Sequence, residues 1–106
     1  MIRYCLKLFR EQDGKTYYMH IFSDPRSVKE YMLKPESIYK IDVREAAETE
    51  RSVTPYFGFL NNDGEIENIY PTFGLFDMCY PYGVRAEENR GRGKIIKVII
   101  TEIEQV

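Results

Sequence analysis

Residues 2–10, IRYCLKLFR, place Ile2, Tyr4, Leu6 and Leu8 on one side of an extended chain and Arg3, Cys5, Lys7 and Phe9 on the other. That is the period of two that a β-strand imposes on its side chains. Residues 16–22, TYYMHIF, alternate again after Gln12-Asp13-Gly14-Lys15. Asp13-Gly14 accepts the positive φ that a tight turn demands, so the two runs close into a β-hairpin.

Ser23-Asp24-Pro25 follows the hairpin. Asp24 offers a side-chain acceptor to the first amides of a helix, and Pro25 suits the first helical position, where its missing N–H costs nothing. The spacing of Val28, Tyr31 and Met32 predicts a helix to about Lys34, stopped by Pro35. Ser37 to Arg44 reads as a third strand, with Tyr39, Ile41 and Val43 facing inward. Glu45 to Arg51 has only Ala46 and Ala47 to bury and is read as a connection. Val53 to Leu60 and Glu65 to Tyr70 flank the turn Asn61-Asn62-Asp63-Gly64, and Pro55 suggests that the first of them starts on an edge. Lys94 to Glu104 is β-branched on both faces, which suits a central strand. The expected fold is a single α+β domain spanning residues 1–106. Its sheet of about six antiparallel or mixed strands carries one helix on a face, in the order ββαβββ-loop-β.

The composition sets limits on function. Of 106 residues, 43% are apolar and 30% charged, and 15 basic side chains nearly balance 17 acidic ones. The whole-chain field therefore favours neither nucleic acid nor anionic membrane, and a DNA mimic would need a large acidic excess. The apolar runs fall far short of the ~20 residues that span a bilayer, so no membrane partner is expected. The alternating N-terminus does not resemble a signal peptide. Cys5 and Cys79 lie far apart in sequence, and both are expected as free thiols in a reducing cytoplasm.

Residues 71–93 follow neither period and hold four of the seven glycines together with Phe73, Phe76, Tyr80, Tyr82, Arg85, Arg90 and Arg92. A structureless stretch of this length is either functional or contains an unrecognised element, here a short helix around Val84 to Asn89 ahead of Gly91. Tyr80 and Tyr82 can stack on a base, while Arg85, Arg90, Arg92 and Lys94 can contact phosphate. Gly91-Arg92-Gly93 nevertheless lacks the third glycine of a dinucleotide fingerprint.

Catalytic and metal chemistry find little support. His20 is the only histidine, and the cysteines lack zinc-finger spacing. His20 with Cys79 is a weak nucleophile–base pair with no family signature around it. Asp13, Asp63 and Glu65 lack the 12-residue loop of a calcium site, and Glu45, Glu48 and Glu50 sit in the most hydrophilic stretch. No cofactor or metal is expected. The sequence favours a non-enzymatic module that binds another protein, as an inhibitor or adaptor, through Tyr56, Phe57, Phe59, Tyr70, Phe73, Phe76, Tyr80 and Tyr82. The alternative is nucleotide or RNA binding, including sequestration of a small signalling nucleotide, by Tyr80, Tyr82, Arg85, Arg90, Arg92 and Lys94. Exposed aromatics or an unpaired edge would equally suit a homodimer.

Overall fold

A computed structural model describes residues 1–32, 37–50, 56–71 and 88–106. Among these residues the following elements succeed one another: β1 (Ile2–Arg10), β2 (Lys15–Phe22), α1 (Pro25–Lys29), β3 (Ile38–Glu45), β4 (Tyr56–Asn61), β5 (Ile66–Tyr70) and β6 (Gly93–Gln105). The strands form one antiparallel sheet in the order β2-β1-β3-β6-β4-β5. The described residues are mostly sheet, with five helical residues in α1 and two more at Glu88 and Asn89, so among them the helical half of the α+β expectation is met in small part.

Contacts divide the chain into two compact units. Unit one comprises Met1–Val43 and Ile100–Val106, and unit two comprises Arg44–Ile99, so β6 contributes to both.

In unit one the first hairpin forms as its alternation dictates, with a four-residue connection of residues 11–14 closed by Arg10 pairing with Lys15. Gly14 takes φ 65° at the turn, and its N–H donates to the Arg10 carbonyl at 2.9 Å. The pairing then slips: Tyr4 faces Phe22 while Leu6 faces Met19, so Cys5 opposes both His20 and Ile21. This two-against-one arrangement is a β-bulge, and His20 sits in it at φ 53°. Asp24 caps α1 by accepting from the Arg26 N–H at 2.8 Å, with Pro25 in the first turn. Val28 from α1 is fully buried against Leu6 and Ile38, with Tyr4, Phe22 and Met32 packed around them.

The expected helix to Lys34 is corrected to Pro25–Lys29. Beyond it, the Tyr31 and Met32 amides donate three residues back, to Val28 and Lys29, so the α-helical ladder tightens and ends. Tyr31 leaves the helical stripe and stacks on His20, with ring centroids 4.2 Å apart. Tertiary ring contact overrides the spacing that grouped Tyr31 with Val28. Residues 33–36 lie outside the described residues.

Unit two pairs β4 with β5 and with the first half of β6. Asn61 organises the β4–β5 turn: its side-chain carbonyl accepts from the Asp63 and Glu65 amides at 2.9 and 3.0 Å, and Gly64 takes φ 83°. A second bulge places Asn68, also at φ 53°, and Ile69 opposite Gly58. Gly58 is packed so closely that an added Cβ would lie 2.9 Å from Ile66 and 3.2 Å from Val98. The strand expected from Val53 is observed from Tyr56; the part of that expectation in residues 51–55 lies outside the described residues.

Candidate binding surface

Aromatic side chains fall into two groups in the structure. In unit two, Tyr56 is 5% exposed and Phe59 1%. Phe59 centres a cluster with Phe57, half-buried Tyr70 and Ile95. Of the rings of β4 and β5 that the sequence assigns to a contact surface, Tyr56 and Phe59 are buried in unit two, and Phe57 and Tyr70 are half-buried beside Phe59. Phe73, Phe76, Tyr80, Tyr82 and Arg85 lie outside the described residues.

Of the expected phosphate-contacting residues, Arg90, Arg92 and Lys94 are exposed, and the Lys94 ammonium lies 3.6 Å from Glu45. The adjacent glycines have structural duties. Glu88 and Asn89 are helical, and Gly91 ends that turn at φ 69°, its N–H donating to the Glu88 carbonyl at 3.0 Å. The Gly91 carbonyl accepts from the Asn62 amide at 2.8 Å. A Cβ on Gly93 would stand 2.2 Å from the Leu60 carbonyl and 2.8 Å from the Phe59 ring. Gly93 thus lets β6 run against β4 under that ring. The expectation of a helix before Gly91 is seen only at Glu88 and Asn89, because residues 84–87 lie outside the described residues.

Unit one presents the opposite picture. The large hydrophobic side chains that are exposed among the described residues are Ile2, Leu8, Phe9, Tyr31, Ile103 and Val106, and all belong to unit one. Leu8 is 49% and Phe9 60% exposed. Both sit where β1 has outrun β3: the pairing with β3 covers Ile2 to Leu6, whereas the pairing with β2 extends to Arg10. Sequence reading missed this pair. Its signal is the adjacency of Leu8 and Phe9 just before a turn, where an alternating strand that buries one face would place one polar residue.

The end of this hairpin is held by a polar network. Asp13 Oδ2 accepts from the Arg10 guanidinium and from the Tyr17 hydroxyl, the latter at 2.6 Å. Asp13 Oδ1 accepts from the Lys15 N–H at 3.1 Å. Arg10 also donates to the Tyr17 oxygen at 3.0 Å and lies 4.7 Å from the Tyr17 ring centroid. The Arg10 hydrogen bond, then that of Tyr17, hold the Asp13 carboxyl well below the usual carboxylate range. Asp13 reciprocally raises the pKa values of Arg10 and Tyr17.

No family model, curated protein or solved structure matches this chain.

Nearer the centre of unit one, Lys7 forms a 2.8 Å ion pair with Glu102 and lies 4.7 Å from the Tyr39 ring centroid. The Tyr18 hydroxyl donates to the same carboxylate oxygen, Glu102 Oε1, at 3.0 Å. The hydrogen bond to Glu102 raises the Lys7 pKa, and the same bond lowers that of Glu102. Cys5 is fully buried. Burial, with Glu102 adding to it, pushes the thiol up to about 12, so little nucleophilic thiolate is present near neutrality. His20 is exposed and stacked on Tyr31, itself 5.5 Å from Phe22. His is among the few non-glycine residues enriched at positive φ, and the bulge turns its ring onto Tyr31. Among the described residues no helix is long and apolar enough to cross a membrane, and no group of three His, Cys, Asp or Glu side chains is gathered to hold a metal ion.

Proposed function

We propose that this chain is a non-enzymatic binding module that acts through protein–protein contact, as an inhibitor or adaptor. The observation that carries the reading is the exposure of adjacent Leu8 and Phe9 on a hairpin whose end is fixed by Arg10, Asp13 and Tyr17. Single exposed apolar residues are ordinary, but Leu8 and Phe9 expose one large apolar side chain on each face of a fixed ribbon, and burying both is a gain that a partner supplies. Tyr and Arg beside them are residue types that anchor interfaces. A cytoplasmic setting fits the reading, because Cys5 is buried as a free thiol.

The test compares the native protein with Leu8→Asp/Phe9→Asp, both tagged and shown by circular dichroism to fold alike, in pull-downs from the same extract. Loss of specific partners from the variant is expected. Recovery of the same set by both proteins would sink the reading.

A second reading, nucleotide or RNA binding by residues 71–94, draws its support from the exposure of Arg90, Arg92 and Lys94 along one short stretch. It requires a ligand-induced rise in melting temperature that disappears in Arg90→Ala/Arg92→Ala and falls steeply with salt. A salt-independent or unchanged shift would exclude it.

A further inference from the structure

We propose that Asp63-Gly64, in the β4–β5 turn, is a site of spontaneous isoaspartate formation, and that Asp13-Gly14, its counterpart in the β1–β2 turn, is shielded from the same reaction by the partners of its carboxylate. The inference is independent of what the chain binds.

The chemistry needs only water. The backbone nitrogen of Gly64 attacks Cγ of the neutral Asp63 carboxyl, an N–Cγ bond forms, and the carboxyl hydroxyl leaves with the amide proton as water, closing a succinimide ring. Water then reopens the ring. Cleavage of the N–Cγ bond restores aspartate. Cleavage of the bond between that nitrogen and the Asp63 backbone carbonyl carbon leaves the main chain running through Cγ, with the α-carboxylate free. A glycine after the aspartate favours the attack because no side chain crowds its nitrogen.

The attacking nitrogens are alike at the two turns. Gly14 and Gly64 take φ 65° and 83°, and a Cβ built on either would meet nothing within 4 Å. Each N–H donates to the carbonyl of the last residue of the preceding strand, Gly14 to Arg10 at 2.9 Å and Gly64 to Asn61 at 3.1 Å. Neither access nor hydrogen bonding of the nitrogen separates them.

The carboxyls differ. Asp13 accepts from the Arg10 guanidinium, from the Tyr17 hydroxyl at 2.6 Å and from the Lys15 N–H at 3.1 Å. These bonds fix the side chain. Arg10 first and Tyr17 second also hold the carboxyl well below the usual carboxylate range, which depletes the neutral form that reacts. Asp63 is exposed, and its carboxylate has no hydrogen bond or ion pair among the described residues, while its N–H donates to Asn61 Oδ1 at 2.9 Å. Its Cγ is free to turn onto the Gly64 nitrogen.

Conversion would reshape the turn. Asn61 Oδ1 accepts from both the Asp63 and Glu65 amides, and the extra main-chain methylene of isoaspartate falls between those two donors. The neighbouring Asn62 amide, which ties this turn to the Gly91 carbonyl, shifts with it.

The test incubates the native protein for weeks in neutral buffer at body temperature and maps its peptides by mass spectrometry with fragmentation that distinguishes isoaspartate from aspartate. Position 63 should accumulate at least about tenfold more isoaspartate than position 13, since each unit by which a carboxyl pKa is lowered removes about tenfold of its neutral form. In guanidinium chloride the two positions should convert at similar rates. Arg10→Gln/Tyr17→Phe, with native circular dichroism, should bring position 13 to within a few-fold of position 63, and Tyr17→Phe alone should give a smaller rise. Absence of isoaspartate at position 63, or equal amounts at both positions of the folded protein, would overturn the proposal. A difference that persists in denaturant, or a position 13 unchanged in the folded variants, would overturn the shielding by assigning the contrast to local sequence.

Discussion

Units one and two are both built from antiparallel strands and both draw on β6, but they dispose of their apolar side chains differently. In unit two, Phe59 is buried beneath its neighbours and Gly93 gives up its side chain so that the ring and the Leu60 carbonyl can sit there. In unit one, Phe9 is in an equally regular strand and stands mostly in solvent. The difference lies in pairing: β4 is flanked by β5 and β6 along the Phe57–Phe59 stretch, whereas β1 has only β2 beside Phe9 among the described residues. A strand's sequence determines which way a side chain points, and its neighbours determine whether anything meets it there.

The largest effect that would break this contrast is expected at Gly93. Gly93→Ala forces the Leu60 carbonyl and the Phe59 ring apart, and because backbone must move, the loss should exceed about 4 kcal/mol and be severe for a small domain. Urea denaturation followed by circular dichroism checks it; a variant of native stability would show that β6 does not approach Phe59 as described. Phe59→Ala leaves a cavity in unit two and should cost about 3–5 kcal/mol in the same experiment. In unit one, Asp24→Ala removes the side-chain acceptor of α1, for an expected loss of about 1 kcal/mol, and Asp24→Asn should recover most of it.

The two units also each hold a carboxylate with an arginine, and pH separates them. In unit two, Arg44 donates to both oxygens of Glu50 at 2.6 and 2.8 Å, and the Ala47 N–H adds a third bond at 2.9 Å. Arg44 first, then the Ala47 amide, lower the Glu50 pKa from 4.5 to about 2. A depressed folded-state pKa contributes stability above the unfolded value that is lost as pH falls through the folded one. The Glu50 contribution should therefore fade between pH 4.5 and about 2, while Asp13, held lower still in unit one, outlasts it. In an NMR titration the Ala47 amide should move before the Lys15 amide on acidification; simultaneous movement would mean that the two carboxylates are held alike.

Much of the fold is legible in the sequence where alternation runs long. β1 has the expected bounds, and β6 exceeds its expected span by one residue at each end. Both hairpin turns are marked by Gly14 and Gly64 at positive φ. The bulge at His20 is not legible in this way, because TYYMHIF keeps its alternation across it, whereas IENIY breaks alternation at Glu67-Asn68 and so carries a local trace of the bulge at Asn68. The helix is overestimated because Tyr31 has helical spacing from Val28 yet stacks on the His20 ring instead of continuing the helix.

Which apolar side chains are exposed is the least legible feature. Tyr56, Phe57, Phe59 and Leu60 surround Gly58 with apolar groups on both strand faces, and nothing local distinguishes a ring covered by two strands from one facing water. The same limit hid Leu8 and Phe9, whose exposure depends on where β3 stops. The glycines of the 91–93 stretch suggested approach to an anion because their packing partners, Glu88, Leu60 and Phe59, lie elsewhere in the chain.

The measurement that bears most directly on the contrast is the urea unfolding free energy of Phe9→Ala set beside that of Phe59→Ala. With Phe9 60% exposed, its truncation should change stability by no more than about 0.5 kcal/mol, as at surface sites generally, against a loss several times larger for Phe59. A loss of about 2 kcal/mol or more for Phe9→Ala, within the range of a core truncation, would contradict the account by showing that the hairpin ring is already buried in the free protein.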